Sequence, residues 1–453
     1  MKKQLGLFDL TMISMSFVIG MGIFRAPANV AAAAPAPFLF YLCWIAGGLI
    51  ALCGALTYAE IGSCMPATGG YYKVFSYAYH PSIAFAINCI ILVSNAASAA
   101  AVALVGSEYI ISILAPQSND PAYMLAAANA RHIKTIEIAI AITAIALFYI
   151  INLLGLKLSA RTQNILMIIK IGLVVLLITP LFFASGTAPE TYPTVSTPLR
   201  EYIKAFGIGL VAVSFTYGGY QQTINFGEEV RNANKTIPRG IFWGILLIVC
   251  LYMLINYAYV KVIGFEELKH SKNIAAIMAS KIFGANAEMI LSVLLFLGVL
   301  AYINSSLLSN PRVMYAMGKD RVFPAAFTNK NRYDALVLSV TIFAAIAVLT
   351  IFWAKEFDKI LSFTIFLDCF GMALSAGSIF YFRKKTGSTG TYRMKLYPLL
   401  PVIFISAYIF LGISIALDYE KNDYAALTGT GVLLFFIIIY FLFFRNTKKA
   451  PQI

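Results

Sequence analysis

The sequence predicts an all-α membrane protein of about twelve transmembrane helices. The expected fold is an inverted repeat of five plus five helices with two trailing helices, in which the first and sixth spans are broken. Three observations carry this prediction. Of 453 residues, 60% are hydrophobic and only 12% charged, against roughly 25% charged in soluble domains. Mean hydropathy is +0.80, and the apolar residues fall into about twelve runs, each near the ~20 residues that cross ~30 Å of hydrocarbon. Glycines interrupt two of these runs, at Gly20-Met21-Gly22-Ile23-Phe24 and at Thr216-Tyr217-Gly218-Gly219-Tyr220.

In chain order the runs centre near Gly20, Leu49, Asn95, Ala144 and Val174, then Thr216, Val249, Leu300, Ile346 and Met372, and finally Ala407 and Leu434. Five is an odd number, so the second group enters the membrane from the side opposite to the first. That is the arithmetic of a repeat inverted about an axis in the membrane plane. The expected units are about 8–184 and about 200–384, followed by two spans at about 396–446, all in one domain of residues 1–453. Connections at Gln117-Ser118-Asn119-Asp120-Pro121 and from Phe265 to Ile282 are long enough for short helices that act as lids. Met1-Lys2-Lys3 before an apolar run superficially resembles a signal peptide with Ala26-Pro27-Ala28 as its cleavage site. Cleavage there would remove the break that matches the one in the sixth run.

Lys and Arg, counted over short loops, set orientation. The N-terminal side holds Lys2, Lys3, Lys73, Lys157, Arg161, Arg231, Lys235, Arg239, Arg312, Lys319, Arg321 and more, while the other side holds about half as many. Both termini are therefore expected in the cytoplasm, with the protein in the plasma (inner) membrane. The net charge of +14 follows from this bias and from attraction to anionic lipid, so the bilayer is the expected partner and nucleic acid is not. Cys43, Cys53, Cys89, Cys250 and Cys369 fall inside spans and Cys64 near the inner surface, which argues against an extracellular disulfide. No metal-ligand spacing links them to His80, His132 or His270, so neither metal nor cofactor is expected.

The two breaks carry the chemistry. Opening a helix in hydrocarbon frees N–H and C=O groups, which is tolerable only inside protein or along a cavity. Free N–H groups near Gly20, Met21 and Gly22 begin a half-helix, whose partial positive charge suits a carboxylate. Carbonyls released near Phe215, Thr216 and Gly218, together with that of Ile19, suit an ammonium. The bland alternative is that the glycines only let helices pack closely; two matched breaks, each followed by aromatics, favour binding. Lys170 lies mid-span about nine residues past Arg161, and an intramembrane lysine is costly enough to mark function. Asp368 is equally deep, and its carboxylate could neutralise a cationic side chain, pair with Lys170 or carry a proton. Ser94, Asn95 and Ser98 read as interhelical hydrogen-bonding groups, and Glu60 as a structural contact at an inner helix end.

These residues also carry a resemblance. Gly20-Met21-Gly22-Ile23-Phe24 resembles the first-span signature of the amino acid–polyamine–organocation permeases, and Tyr58-Ala59-Glu60-Ile61-Gly62 with Pro66 and Gly69-Gly70 their second span and the loop after it. Phe215 to Tyr220, Glu228-Glu229-Val230-Arg231-Asn232 and Ile237-Pro238-Arg239 are similar to the sixth span of the L-amino acid transporter branch. Asn304 with Arg312, Tyr315, Ala316 and Met317 resembles span eight. The likeness covers about the first 320 residues well and the rest in general character. It implies an alternating-access carrier in which the Lys170 ammonium replaces a sodium ion between spans one and eight. The implied substrate site comprises Ile19, Gly20, Met21, Gly22, Ile23, Phe215, Thr216, Gly218, Gly219, Tyr220, Asn304 and Asp368, with Phe215 and Tyr220 closing over the substrate. Met21, where serine or alanine is usual, Tyr220 in place of tryptophan, and Gln221 depart from the pattern.

The resulting expectation is a sodium-independent carrier of small L-amino acids, working by exchange or proton coupling. A polyamine or cationic amine carrier is the alternative, favoured by Asp368 and Met21; a non-transporting amino acid sensor is a further one, though both tails are short. No nucleophile–base pair points to an enzyme. No cysteine stands between Ala115 and Ile133 to link a single-span partner, so no obligatory disulfide-linked subunit is expected.

Overall fold

The computed structural model describes residues 2–114, 127–183, 198–271, 273–352, 357–386, 392–417 and 424–444. The first span is a bent pair, α1 (Leu7–Val18) and α2 (Gly22–Ala33), at 42° to each other. It is followed by α3 (Pro37–Cys64), α4 (Gly70–Ala78), α5 (Pro81–Leu114), α6 (Ala127–Leu153) and α7 (Leu156–Ile178). Next come α8 (Leu199–Tyr217), α9 (Ala233–Ile263), the short α10 (Phe265–His270) and α11 (Ile274–Phe283), and α12 (Ala287–Lys319). The chain ends with α13 (Val337–Ile351), α14 (Phe357–Thr386), α15 (Leu399–Leu417) and α16 (Ala425–Phe443).

Eight described helices are long and apolar enough to cross a membrane, and the bent pair makes a ninth. The helices α8, α13 and α14 fall on the runs read as spans six, nine and ten but are not among those that meet this test. At 15 residues, α13 is about 22 Å long at 1.5 Å per residue, short of a full hydrocarbon layer. Helices α10 and α11 fill the connection from Phe265, as its length predicts; the lid expected at Gln117–Pro121 lies outside the described residues.

Helix α12 packs on α5 and α7, α3 on α8 and α9, and α2 on α8. Behind the breaks, Trp44, Tyr217 and Tyr252 form a buried cluster with ring centroids 5.1–6.1 Å apart. Such aromatic pairs contribute about 0.5–1.5 kcal/mol each beyond area burial. Along α16, Leu434, Phe435, Ile438 and Phe441 are exposed, which suits a helix that faces lipid.

The face on which α1 begins is closed by backbone pairing and ion pairs. Gln4 and Leu5 donate N–H bonds to the Glu229 carbonyl at 2.8 and 3.0 Å, and Arg231 N–H donates back to Leu5 at 2.9 Å. Arg312, buried on α12, grips the Glu229 carboxylate at 2.5 and 3.0 Å and lies over the Phe226 ring. Arg383 reaches Glu60 with two bonds of 2.6 and 2.7 Å, so Glu60 makes the structural contact its position suggested. Lys73 and Asp320 pair at 2.5 Å.

Candidate binding site at the helix breaks

The first break sits between Val18, where α1 ends, and Gly22, where α2 begins. The carbonyls that α1 leaves without helical partners are taken by side chains of other helices. Tyr252 of α9 donates its hydroxyl to Val18 O at 3.1 Å, and Lys170 of α7 donates Nζ to Ile19 O at 2.6 Å. Lys170 is only 2% exposed. Its stem runs past Gly298 of α12, where an added methyl would come within 3.3 Å of Cε. The lysine therefore ties α1 to α7 by a hydrogen bond and packs against α12.

On the other side of the break the N–H groups are free. Gly20 N–H folds back to Val18 O, but among the described residues Met21, Gly22 and Ile23 have no backbone acceptor. They form the N-terminus of α2, where the aligned peptide dipoles add partial positive charge. In the sixth span α8 ends at Tyr217, the chain turns through Gly218 and Gly219, and a 3₁₀ segment, Tyr220–Asn225, takes the place of a second half-helix. Gly219 has φ +107, and a methyl there would lie 2.6 Å from Phe17 O. A methyl on Gly22 would come within 3.0 Å of Thr216 Oγ1. The two breaks thus abut: Gly219 must be glycine to do so, and at Gly22 there is little room for more.

A cavity of about 550 Å³ begins at the breaks. It runs along α2, α5 and α8 towards the face opposite the one that is closed. Its walls include Gly20, Met21, Gly22, Phe215, Thr216, Gly218, Gly219 and Asp368. Phe215 is half exposed to it, and Asp368, although mid-helix, is accessible through it. A donor-rich helix start, a carbonyl-rich helix end and a carboxylate therefore share one cavity.

A family model described as amino acid permease matches residues 5–450. The chain belongs to that amino acid permease family. It is 25% identical over 439 residues, 95% of each chain, to the serine/threonine exchanger SteT of Bacillus subtilis. It is also 25% identical to the human large neutral amino acids transporter small subunit 2, over 98% of this chain and 80% of that one. Identity to the human cystine/glutamate transporter is 24%, over 99% and 87%. The protein is thus an all-α, multi-pass membrane permease that moves amino acids, not an enzyme.

The permease does not bring every expected residue to the cavity. Ile19 and Ile23 are fully buried, and the Ile19 carbonyl is engaged by Lys170. Tyr220 is buried edge-on against Tyr58, 6.0 Å between centroids, and is not part of the cavity wall. Asn304 lies in a buried amide cluster, donating to Gln163 Oε1 at 2.7 Å and Ser159 O at 3.1 Å while accepting from Asn152 at 3.0 Å. Ser94, Asn95 and Ser98, read from the sequence as interhelical groups, all line the cavity, although Asn95 also bonds Asn310 at 2.7 Å. Wall residues missed by the sequence reading include Arg25, Tyr71, Tyr302 and Tyr408. Arg25 carried a signal, as a charge three residues after Gly22; the tyrosines, among 26 in the chain, did not.

Proposed function

We propose that this permease is a sodium-independent exchanger of small L-amino acids. The observation that carries the reading is the abutment of the two breaks on one cavity, with donors on one side and carbonyls on the other. The substrate carboxylate binds the N–H groups of Met21 and Gly22, and the α-ammonium binds the end of α8 at Phe215, Thr216 and Gly218. Phe215, half exposed on the wall, folds over the bound molecule. Lys170 supplies the fixed positive charge that a sodium ion would otherwise bring to the end of α1.

Alternating access follows from relative motion of the units at about 8–184 and 200–384. The closed face is assigned to the cytoplasm, with both termini there, in the plasma (inner) membrane, on the loop distribution of Lys and Arg. The open face then collects substrate from outside. The protein works without a disulfide-linked subunit. Likeness to an exchanger over almost the whole of both chains supports exchange as the mode.

The test is uptake of labelled L-amino acids into proteoliposomes that are either preloaded with unlabelled amino acids or empty under an inward proton gradient. Uptake that needs preloading supports exchange. Uptake into empty vesicles driven by the gradient replaces exchange with proton symport, and uptake in neither sinks the transport reading.

A further inference from the structure

The cavity carries a carboxylate that the amino acid head group does not use. Asp368, on α14, lines the cavity, and among the described residues it forms no ion pair and has no cation beside it. Its carboxylate lies within electrostatic reach of four tyrosine hydroxyls, on Tyr58 of α3, Tyr71 of α4, Tyr302 of α12 and Tyr408 of α15. Three of these, Tyr71, Tyr302 and Tyr408, are themselves in the cavity wall. The cavity's other charge, Arg25, is placed differently: it acts on Glu108 and Tyr109 of α5, so it has acidic company.

A carboxylate opening on the cavity at mid-membrane depth, with no protein cation beside it among the described residues, marks a functional group whose partner is to be supplied. Tyrosine rings around a carboxylate offer π-faces and hydroxyl oxygens, the surroundings that an organic cation prefers. A neutral side chain would leave the charge uncompensated, and an acidic one would face it directly. We propose that Asp368 and its tyrosines form the side-chain subsite, and that the preferred substrates are α-amino acids carrying a second, cationic amine. This rests on the reading that the breaks bind the amino acid head group. It then adds a condition on the tail.

The experiment compares two ligands that differ by that amine alone. L-Ornithine and L-norvaline share a three-carbon side chain, and only ornithine ends in an ammonium. Binding to the purified full chain is measured by thermal shift, and transport by exchange in preloaded proteoliposomes. The expected result is at least about tenfold tighter binding of ornithine, which is about 1.4 kcal/mol, with the same preference in uptake. Asp368→Asn should lower the ornithine-to-norvaline ratio at least about tenfold, and Asp368→Glu should retain part of it. Equal or tighter binding of norvaline by the wild-type protein overturns the subsite while leaving amino acid exchange standing. An Asp368→Asn protein that folds but loses both ligands equally also overturns it, because the aspartate would then be structural. No uptake of any amino acid removes the head-group reading and this inference together.

Discussion

The two halves of the first span differ sharply in how they are held. The α1 half is tied at both ends: Gly6 N–H to Asp9 and Asp9 to Asn164 at its start, and Ser16 to Ser305, Val18 to Tyr252 and Ile19 to Lys170 at its close. The α2 half starts with free N–H groups and carries Arg25 and Asn29, both exposed, along the cavity. One span is therefore anchored on one side of its break and open on the other. The face on which the cavity opens is thus the one where these hydrogen bonds are not made. To open the closed face, the α1 half must give up bonds that the α2 half does not have.

The largest effect is expected where the closed face is buried. Arg312→Ala leaves Glu229 as an unpaired buried charge, which typically costs about 3–5 kcal/mol. Cys369 lines the cavity and can report the consequence. With the other five cysteines replaced, a membrane-impermeant thiol reagent should reach Cys369 from the open face in the parent. In Arg312→Ala it should also label from the closed face. Unchanged sidedness would break the comparison, because the seal would then not depend on this pair.

A second test acts at the break itself. Gly219→Ala must hold alanine at φ +107 against Phe17 O, and a strained residue of this kind costs about 1–3 kcal/mol before any clash is counted. Gly172→Ala on α7 meets nothing within 4 Å, so helix propensity predicts a gain of up to about 1 kcal/mol. Melting temperatures in detergent should move in opposite directions for the two variants, with exchange lost only in the first. Lys170→Met comes next in size. It removes a hydrogen bond from a charged donor, worth about 1.5–3 kcal/mol, but also removes a buried charge, so stability should fall less than transport. Exchange is expected to drop at least about tenfold, because the end of α1 loses its fixed position. Normal exchange by Lys170→Met would show that the Ile19 bond does not set the break.

Most of this architecture was legible because hydrocarbon makes exceptions conspicuous. Glycine pairs, a lysine and an aspartate inside apolar runs each stand out, and the structure places the glycines and Asp368 on one cavity with Lys170 just behind it. What remained hidden was direction around the helix axis. Helices that are apolar all round carry little periodic signal, so nothing in the sequence turned Asn304 inward to its amide cluster or Ser94 and Ser98 towards the cavity. Tyr220 was expected at the surface of the site, but the 3₁₀ turn after Gly219 rotates it into the core. Side-chain packing decided these cases, not local preference.

The smallest effect is expected at the solvent-exposed edge of the closed face. Asp334 lies in the loop before α13. Burial alone would raise its carboxyl, but the Lys330 ammonium at 3.0 Å and the Lys2 N–H at 3.4 Å hold it below its ordinary value. A depressed carboxyl contributes stability above its unfolded pKa and loses it as pH falls through the folded value. The contribution should therefore be present at neutral pH and fade below about pH 4, the ordinary range for aspartate. Because the pair is partly exposed, it should be worth less than about 1 kcal/mol. Asp334→Asn should lower the melting temperature slightly at neutral pH and not at all under strongly acidic conditions. A larger loss than in Arg312→Ala would reverse the ranking, and would move the main latch of the closed face from the buried pair to its rim.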